Sequence, residues 1–134
     1  MYQHITLIGN LGRDPELRYT PAGQPVTDLS VATKETWKDQ SGEKKDRTTW
    51  WKISVWGKQA ENCNQFLVKG SRVLVEGTLR GDEGGNPRTY QKKDGTTGAS
   101  FEMTAKDVRF LSAKGVSESD GQSAEKVAVD DLPF

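Results

Sequence analysis

One short stretch, TTWWKISVWG at residues 48–57, contains three of the four tryptophans of the chain. Successive side chains on a β-strand point to opposite faces, so Trp50, Lys52, Ser54 and Trp56 share one face. Burying a lysine there without a partner would be costly, and we therefore expect this face to contact solvent. Exposed aromatic rings beside a lysine can stack on nucleobases and attract phosphates, which points to nucleic-acid binding.

A simpler reading is that Trp50 and Trp56 only cover the flank of the fold beside a solvated lysine. Two further aromatics, Trp37 and Tyr90, favour the binding interpretation because each also has basic neighbours. A basic cluster alone is typical of any solvated face, and it is the pairing with aromatics that carries weight. These neighbours are Lys34 and Lys38 around Trp37, and Arg88, Lys92 and Lys93 around Tyr90.

The opposite face of the same stretch carries Thr49, Trp51, Ile53 and Val55, a set typical of a core or of a subunit interface. Trp51 could pack within its own domain or between subunits, and the pattern leaves both open.

The elements that must position these residues are mostly strands. Period-2 alternation and turn residues predict strands, and helical spacing of apolar residues with Gly70 after them predicts one helix. The long strands are expected at 4–12, 26–37, 47–56, 71–79 and 99–111, a short strand within 13–25, the helix at 58–70, a polar loop at 38–46, and a hairpin excursion at 80–98 turning near 93–95.

Five long strands and one connecting helix predict an all-β fold. A sandwich would need about seven strands, whereas the OB-fold is a five-stranded barrel with this order of elements. Residues 1–112 are the predicted OB-fold domain. Residues 113–134 have almost no large apolar side chains before their end, so we expect a disordered tail.

The charge is divided between these two parts. The net charge of the chain is zero, but residues 1–112 carry 17 Lys and Arg against 14 Asp and Glu, whereas 113–134 carry 2 against 5. A mildly basic body with an acidic end suits an anionic partner. The single cysteine, Cys63, makes no internal disulfide, and no apolar run has the length of a membrane span, so the sequence predicts a cytoplasmic protein.

No catalytic constellation stands out in the sequence. Cys63 is expected to be buried on the helix, and the single histidine, His4, has no nucleophile near it in sequence. A phosphate-binding loop would require a helix after its glycines, whereas Gly9 and Gly12 lead into a strand. We therefore expect a binding protein and not an enzyme, with no metal or nucleotide cofactor.

Several separated motifs resemble bacterial single-stranded DNA-binding proteins: LIGNLGRDPELRYTPAGQPV, SVATKETWKD, WWKISVWGKQAE, FLVKGSRVLVEGTLR and the terminal DDLPF. The resemblance implies an OB-fold, usually a homotetramer paired through residues 3–7, and sequence-tolerant binding of single-stranded DNA. By position, Trp37, Trp50 and Trp56 match the base-stacking aromatics of that family, and Tyr90 is the candidate in the 80–98 hairpin. The expected phosphate contacts are Arg18, Lys52, Lys58, Lys69, Arg72 and Arg80 by resemblance, with Lys34 and Arg88 as the basic neighbours of Trp37 and Tyr90.

The last six residues, VDDLPF, combine acids, large apolar side chains and a terminal carboxylate. Such a combination suits docking to a partner protein, with the ring in an apolar pocket and the acids on a basic rim. The resemblance implies that this tip recruits replication, recombination and repair proteins at the nucleoid. The expected docking residues are Asp130, Asp131, Leu132, Pro133 and Phe134.

Two other functions fit the same residues. An OB-fold could use its aromatic face for an oligosaccharide or for RNA, although a sugar would gain little from the surrounding cations. Alternatively, the chain could be an adaptor that acts mainly through its acidic tip, with little or no dependence on Trp37, Trp50 and Trp56.

Overall fold

The computed structural model describes residues 1–112, so the predicted disordered tail and docking tip at 113–134 lie outside the described residues. Seven strands and one helix follow one another in this part of the chain. They are β1 (Ile5–Leu11), β2 (Glu16–Tyr19), β3 (Pro25–Lys38), β4 (Lys44–Trp56), α1 (Lys58–Phe66), β5 (Arg72–Leu79), β6 (Arg88–Gln91) and β7 (Thr97–Phe110).

Five of the strands close into a barrel in the order β1-β5-β7-β4-β3, and β3 returns to β1 through the pairs Asn10↔Ala32 and Leu11↔Val31. The β4–β7 pairing is parallel, and the other pairings are antiparallel. Two short strands extend this barrel, β2 beside β3 and β6 beside β7. The predicted five-stranded OB-fold barrel with one connecting helix is therefore confirmed.

Residues from alternate positions of the strands fill the barrel. Leu29, Val31, Ile53 and Val55 are fully buried, as the period-2 pattern predicts, and Met103 joins them from β7. The close approach of two strands depends on Gly77, because a side chain there would overlap the carbonyl of Thr104.

Trp51 lies on the core side of β4 and is half-buried. Its ring packs against Phe101 with 5.5 Å between centroids, and its Nε1 donates to Thr33 Oγ1 at 3.1 Å. These contacts satisfy the indole Nε1 within its own barrel, and a role of the half-buried ring between subunits stays a prediction.

Helix α1 is shorter than the predicted helix at 58–70, because Leu67 adopts an extended conformation with φ −107° and ψ 148°. Asp14 Oδ1 accepts a hydrogen bond from the backbone N–H of Lys69 at 2.7 Å and so holds the turn into β5. Cys63 is buried, and this burial raises the pKa of its thiol to about 12. Phe66, in contrast, is exposed, with its ring centroid 6.4 Å from that of Phe110.

Strands β3 and β4 continue beyond the barrel as a two-stranded ribbon. Their pairing runs from Val26↔Trp56 to Lys38↔Lys44, whereas β4 pairs with β7 over four residues only. The polar loop predicted at 38–46 is therefore too long. Asp39 closes the shorter turn by accepting hydrogen bonds from Ser41 and the N–H of Glu43, and these bonds lower the pKa of its carboxyl.

Candidate nucleic-acid interface

The outward side of β4 presents Trp50, Lys52 and Trp56, here called the tryptophan face. Trp50 is 53% exposed and Trp56 38% exposed. Opposite Trp50 on β3 stands Ala32, a side chain too small to cover the indole. Lys52 forms no ion pair with any of the described residues. The alternation in the sequence therefore places two open rings and a free cation on one surface.

The ring of Trp50 rests on Gly12, at the end of β1. A methyl group added to Gly12 would overlap the ring, and its distance to Cη2 would be 2.6 Å. The backbone of Gly12 is fixed from the other side, because its N–H donates to the carbonyl of Ser30 at 2.9 Å. The absence of a side chain at residue 12 therefore sets where the ring of Trp50 lies.

A polar network lies next to the tryptophan face on β3 and β4. Ser54 is almost completely buried, unlike its neighbours on this side of β4, because it accepts a hydrogen bond from Arg80 Nη1 at 2.8 Å and donates to Asp28 at 3.5 Å. Asp28 in turn accepts from Arg18 Nε at 3.0 Å. The carboxylate thus holds Arg18 directly and Arg80 through one hydroxyl, and it raises the pKa of Arg18.

The β6–β7 hairpin carries the fourth aromatic. Tyr90 is 52% exposed, and its ring lies on Gly98 of the paired strand, where a side chain would approach ring atom Cζ to 2.6 Å. The turn follows the predicted position, with the N–H of Gly95 bonded to the carbonyl of Lys92 at 3.0 Å. The sequence register around Tyr90 is therefore consistent with an exposed ring on a strand.

An open pocket of about 590 Å³ joins the hairpin to the tryptophan face. We call it the Glu102 pocket. Glu102 of β7 is 8% exposed, and it is the cross-strand neighbour of Lys52 on β4. Sequence reasoning missed Glu102, because a lone acid in a strand reads as a solvated residue. The pocket is lined by Arg13, Lys52, Asp82, Arg88, Thr89, Tyr90, Ser100 and Glu102.

Trp37 belongs to the β3–β4 ribbon and not to the tryptophan face. Its cross-strand partner is Lys45, and the alternation places it on the same side of the ribbon as Trp51, opposite Trp50. The guanidinium of Arg47 lies 5.3 Å from its ring centroid, and Arg47 also forms an ion pair with Glu35. The three tryptophans predicted to stack thus lie on two sides of β3 and β4.

The other predicted basic residues are spread around the barrel. Lys34 forms an exposed ion pair with Asp46 at 3.5 Å on the ribbon. Lys58 begins α1, Lys69 is exposed in the turn after it, and Arg72 begins β5, where its Nε donates to Asn10 at 3.1 Å. The structure therefore brings Lys52 and Arg88 to one pocket and leaves Lys58, Lys69 and Arg72 on other elements.

Asp82, one of the residues lining the pocket, has a structural role. Asp82 Oδ1 accepts hydrogen bonds from the N–H groups of Gly84 and Asn86, at 2.9 and 2.8 Å.

Within residues 1–112, no group of three or more His, Cys, Asp or Glu side chains is placed to hold a metal ion. Helix α1, with nine residues, is too short to cross a membrane.

A five-stranded barrel with one connecting helix and this order of elements is an OB-fold. The model of the Single-strand binding protein family matches residues 2–111, and the chain belongs to this family.

Curated relatives agree with this assignment. The chain is 41% identical over 110 residues to the single-stranded DNA-binding protein of Neisseria meningitidis serogroup A, covering 82% of this chain and 60% of that protein. It is 42% identical over 110 residues to single-stranded DNA-binding protein 1 of Chlorobaculum tepidum, covering 82% of this chain and 65% of the relative. The chain thus aligns with less than two thirds of the length of these relatives.

Solved structures share the barrel. A complex of the Plasmodium falciparum SSB with single-stranded DNA has a TM-score of 0.67 at 28% identity, over 84% of this chain and 96% of that one. A deletion mutant of the single-stranded DNA binding protein from Thermus aquaticus has a TM-score of 0.63 at 28% identity, over 81% of this chain and 50% of that one.

Proposed function

We propose that this protein binds single-stranded DNA without a fixed sequence requirement and catalyses no reaction. The observation that carries the proposal is the tryptophan face, where two open indole rings flank Lys52, which has no ion pair among residues 1–112. Stacking of one base on an aromatic ring is worth roughly 1–3 kcal/mol and tolerates every base. The family to which the chain belongs, and the DNA in the complex of the Plasmodium falciparum relative, support the same ligand.

The geometry suggests a path for the strand. Bases stack on Trp50 and Trp56 along β4, and the strand continues across Lys52 towards Tyr90 of the β6–β7 hairpin. To reach Trp37 it passes around the edge of the β3–β4 ribbon, because this ring lies on the other side. Arg18 and Arg80 supply cations beside the path, and Asp28 and Ser54 hold them in place.

The salt dependence of binding tests this function. Each phosphate neutralised on a single strand contributes about −0.7 to the slope of log K against log salt concentration. We expect a steep slope for dT oligonucleotides, and Lys52→Ala should make it shallower by about 0.7 if Lys52 contacts one phosphate. Fluorescence anisotropy with a labelled oligonucleotide at several salt concentrations measures both slopes.

The same assay separates the rival ligands. A sugar-binding OB-fold would show weak DNA binding with a flat salt slope, and either result would contradict the proposal. An RNA-binding protein would bind an rU oligonucleotide more tightly than a dU oligonucleotide of equal length, because only RNA carries the 2′-hydroxyl.

A homotetramer is part of the proposal. Residues 5–9 of β1 pair with β5 on one edge, and within the part of the chain that the structure describes the other edge pairs with β3 at Asn10 and Leu11 only. An unpaired strand edge is a template for pairing with another chain, which supports assembly through residues 3–7. Sedimentation equilibrium should give four chains per particle, and a monomer at micromolar concentration would contradict this part.

We further propose roles in replication, recombination and repair in the cytoplasm at the nucleoid, with partner proteins docking on residues 130–134. The motif DDLPF supports docking through residues 130–134, since it joins two acids to apolar side chains and a carboxylate.

The acidic residues of this segment also compete with DNA for the cations of the barrel. Deleting residues 130–134 should therefore tighten binding to dT oligonucleotides at low salt and have no effect at high salt. Equal affinity of both forms at low salt would contradict the competition.

A further inference from the structure

Glu102 contributes a carboxylate to the lining of the Glu102 pocket. It is 8% exposed, and the same pocket is lined by cations and an aromatic ring that suit nucleic acid. A negative charge there opposes phosphate binding. Burial of a carboxylate is costly, and here an ion pair with Arg88 and a hydrogen bond from Ser100 offset that cost.

The hydrogen bonds of Glu102 occupy one of its two oxygens. Oε2 accepts from Ser100 Oγ at 2.7 Å, whereas Oε1 lies 3.8 Å from Arg88 Nε, beyond hydrogen-bond distance. Arg88 Nε donates to the carbonyl of Gly81 at 3.3 Å. Glu102, a hydrogen-bond acceptor, and Arg88, which has several N–H donors, thus lie side by side, and the ring of Tyr90 lines the same pocket.

This arrangement has the chemistry of a reader of one base edge. An ionised carboxylate accepts hydrogen bonds and cannot donate them, and an arginine donates and cannot accept. Cytosine offers an amino donor at N4 beside acceptors at N3 and O2, which complements such a pair. Thymine and uracil offer an acceptor at position 4 instead, and that oxygen would face the carboxylate.

The pocket has room for this ligand. Its volume of about 590 Å³ lies within the range of roughly 300–1,000 Å³ found for small-molecule sites. Tyr90, seated on Gly98, offers a flat face for the base, while Arg13 and Lys52 are cations for the adjoining phosphates. Acceptance of the cytosine N4 amino group by Glu or Asp is a known form of base readout.

We propose that the Glu102 pocket is a base-selective subsite that prefers cytosine to thymine or uracil within an otherwise sequence-tolerant surface. Glu102 accepts a hydrogen bond from the N4 amino group, and Arg88 donates to the acceptors beside it. The inference rests on the proposed binding of single-stranded DNA and adds a preference that stacking and counterion release do not supply.

The test compares oligonucleotides of dC and dU, which differ at positions 3 and 4 of the base and share the same backbone. We expect the wild-type protein to bind dC at least about fivefold more tightly than dU, the lower end of the discrimination expected for a good contact to a base edge. In Glu102→Gln the affinity for both should change, because a charge is lost, and the dC-to-dU ratio should fall towards one.

Asp107→Asn is the matched control. Asp107 is also on β7, carries the same charge and pairs with Arg109, but does not line the pocket. It should retain the ratio of the wild type. Equal affinity of the wild type for dC and dU would overturn the inference even if Glu102→Gln fails to fold, and so would a ratio unchanged in a folded Glu102→Gln. Failure to bind either oligonucleotide would instead contradict the proposed function.

Discussion

Replacing Trp50 with alanine is expected to weaken binding of dT oligonucleotides by about 5- to 150-fold, the equivalent of one stacked base at roughly 1–3 kcal/mol. The ring is exposed on the tryptophan face, so its loss removes contact area with the ligand and little from the barrel core. The free energy of unfolding should therefore change little, since surface substitutions are usually within about 0.5 kcal/mol. Anisotropy titration and urea unfolding measure the two effects separately.

Phe66→Ala is the matched control for this substitution. Phe66 is an aromatic residue of similar exposure, 46%, but it lies on α1 beside Phe110. Its removal should leave the affinity for dT oligonucleotides unchanged. Equal losses in both variants would mean that the aromatics act through general stability, and no loss in Trp50→Ala would remove the tryptophan face from the binding site.

Gly12→Ala is expected to weaken DNA binding nearly as much as Trp50→Ala does, although it removes no group that could contact DNA. The added methyl group would overlap the far edge of the indole, so the ring must leave its position. The overlap is with the end of a side chain and not with backbone, so the barrel itself should remain folded. Gly12→Ala thus tests whether DNA binding depends on where the Trp50 ring lies, and not only on the presence of the ring.

A double-mutant cycle tests that dependence. In a protein that already carries Trp50→Ala, the further change Gly12→Ala should have almost no effect, because the ring that it displaces is absent. Independent, additive losses would show that Gly12 acts on binding by another route. The tryptophan emission spectrum gives a direct check, since Gly12→Ala should alter the environment of Trp50 in the free protein.

The period-2 pattern in 48–57 was sufficient to predict which side of β4 faces solvent, because alternation is a local property of the strand. It identified Trp50, Lys52 and Trp56 correctly as outward residues. It did not predict that Ser54 is buried, because Arg80 and Asp28 reach it from strands that are distant in sequence.

Trp37 shows the same limit. The sequence correctly placed it at the end of a strand, but its side of the ribbon depends on how far β3 and β4 remain paired before they turn at Asp39. Because a loop was expected at 38–46, the sequence did not indicate how far the pairing of β3 with β4 continues. Pairing through Lys38↔Lys44 is what assigns Trp37 to the side opposite Trp50.

Glu102 and Gly12 could not be recognised from the sequence as parts of the candidate interface. The position of Glu102 beside Lys52 arises from the parallel pairing of β4 with β7, across about 50 residues of chain. Gly12 meets Trp50 only because the barrel closes between β1 and β3. Both contacts are products of the topology, and no local pattern of residue types encodes them.

The most direct test of the central claim is a titration of the intrinsic tryptophan fluorescence with unlabelled dT oligonucleotides at low and high salt. Strong, saturable quenching that weakens with salt, and that is smaller in Trp50→Ala, is the expected result, because stacked bases quench the indoles beneath them. The saturation point would also give the number of nucleotides bound per chain. Fluorescence that stays unchanged while an anisotropy assay reports DNA binding would contradict the claim, since the strand would then lie away from the tryptophan face.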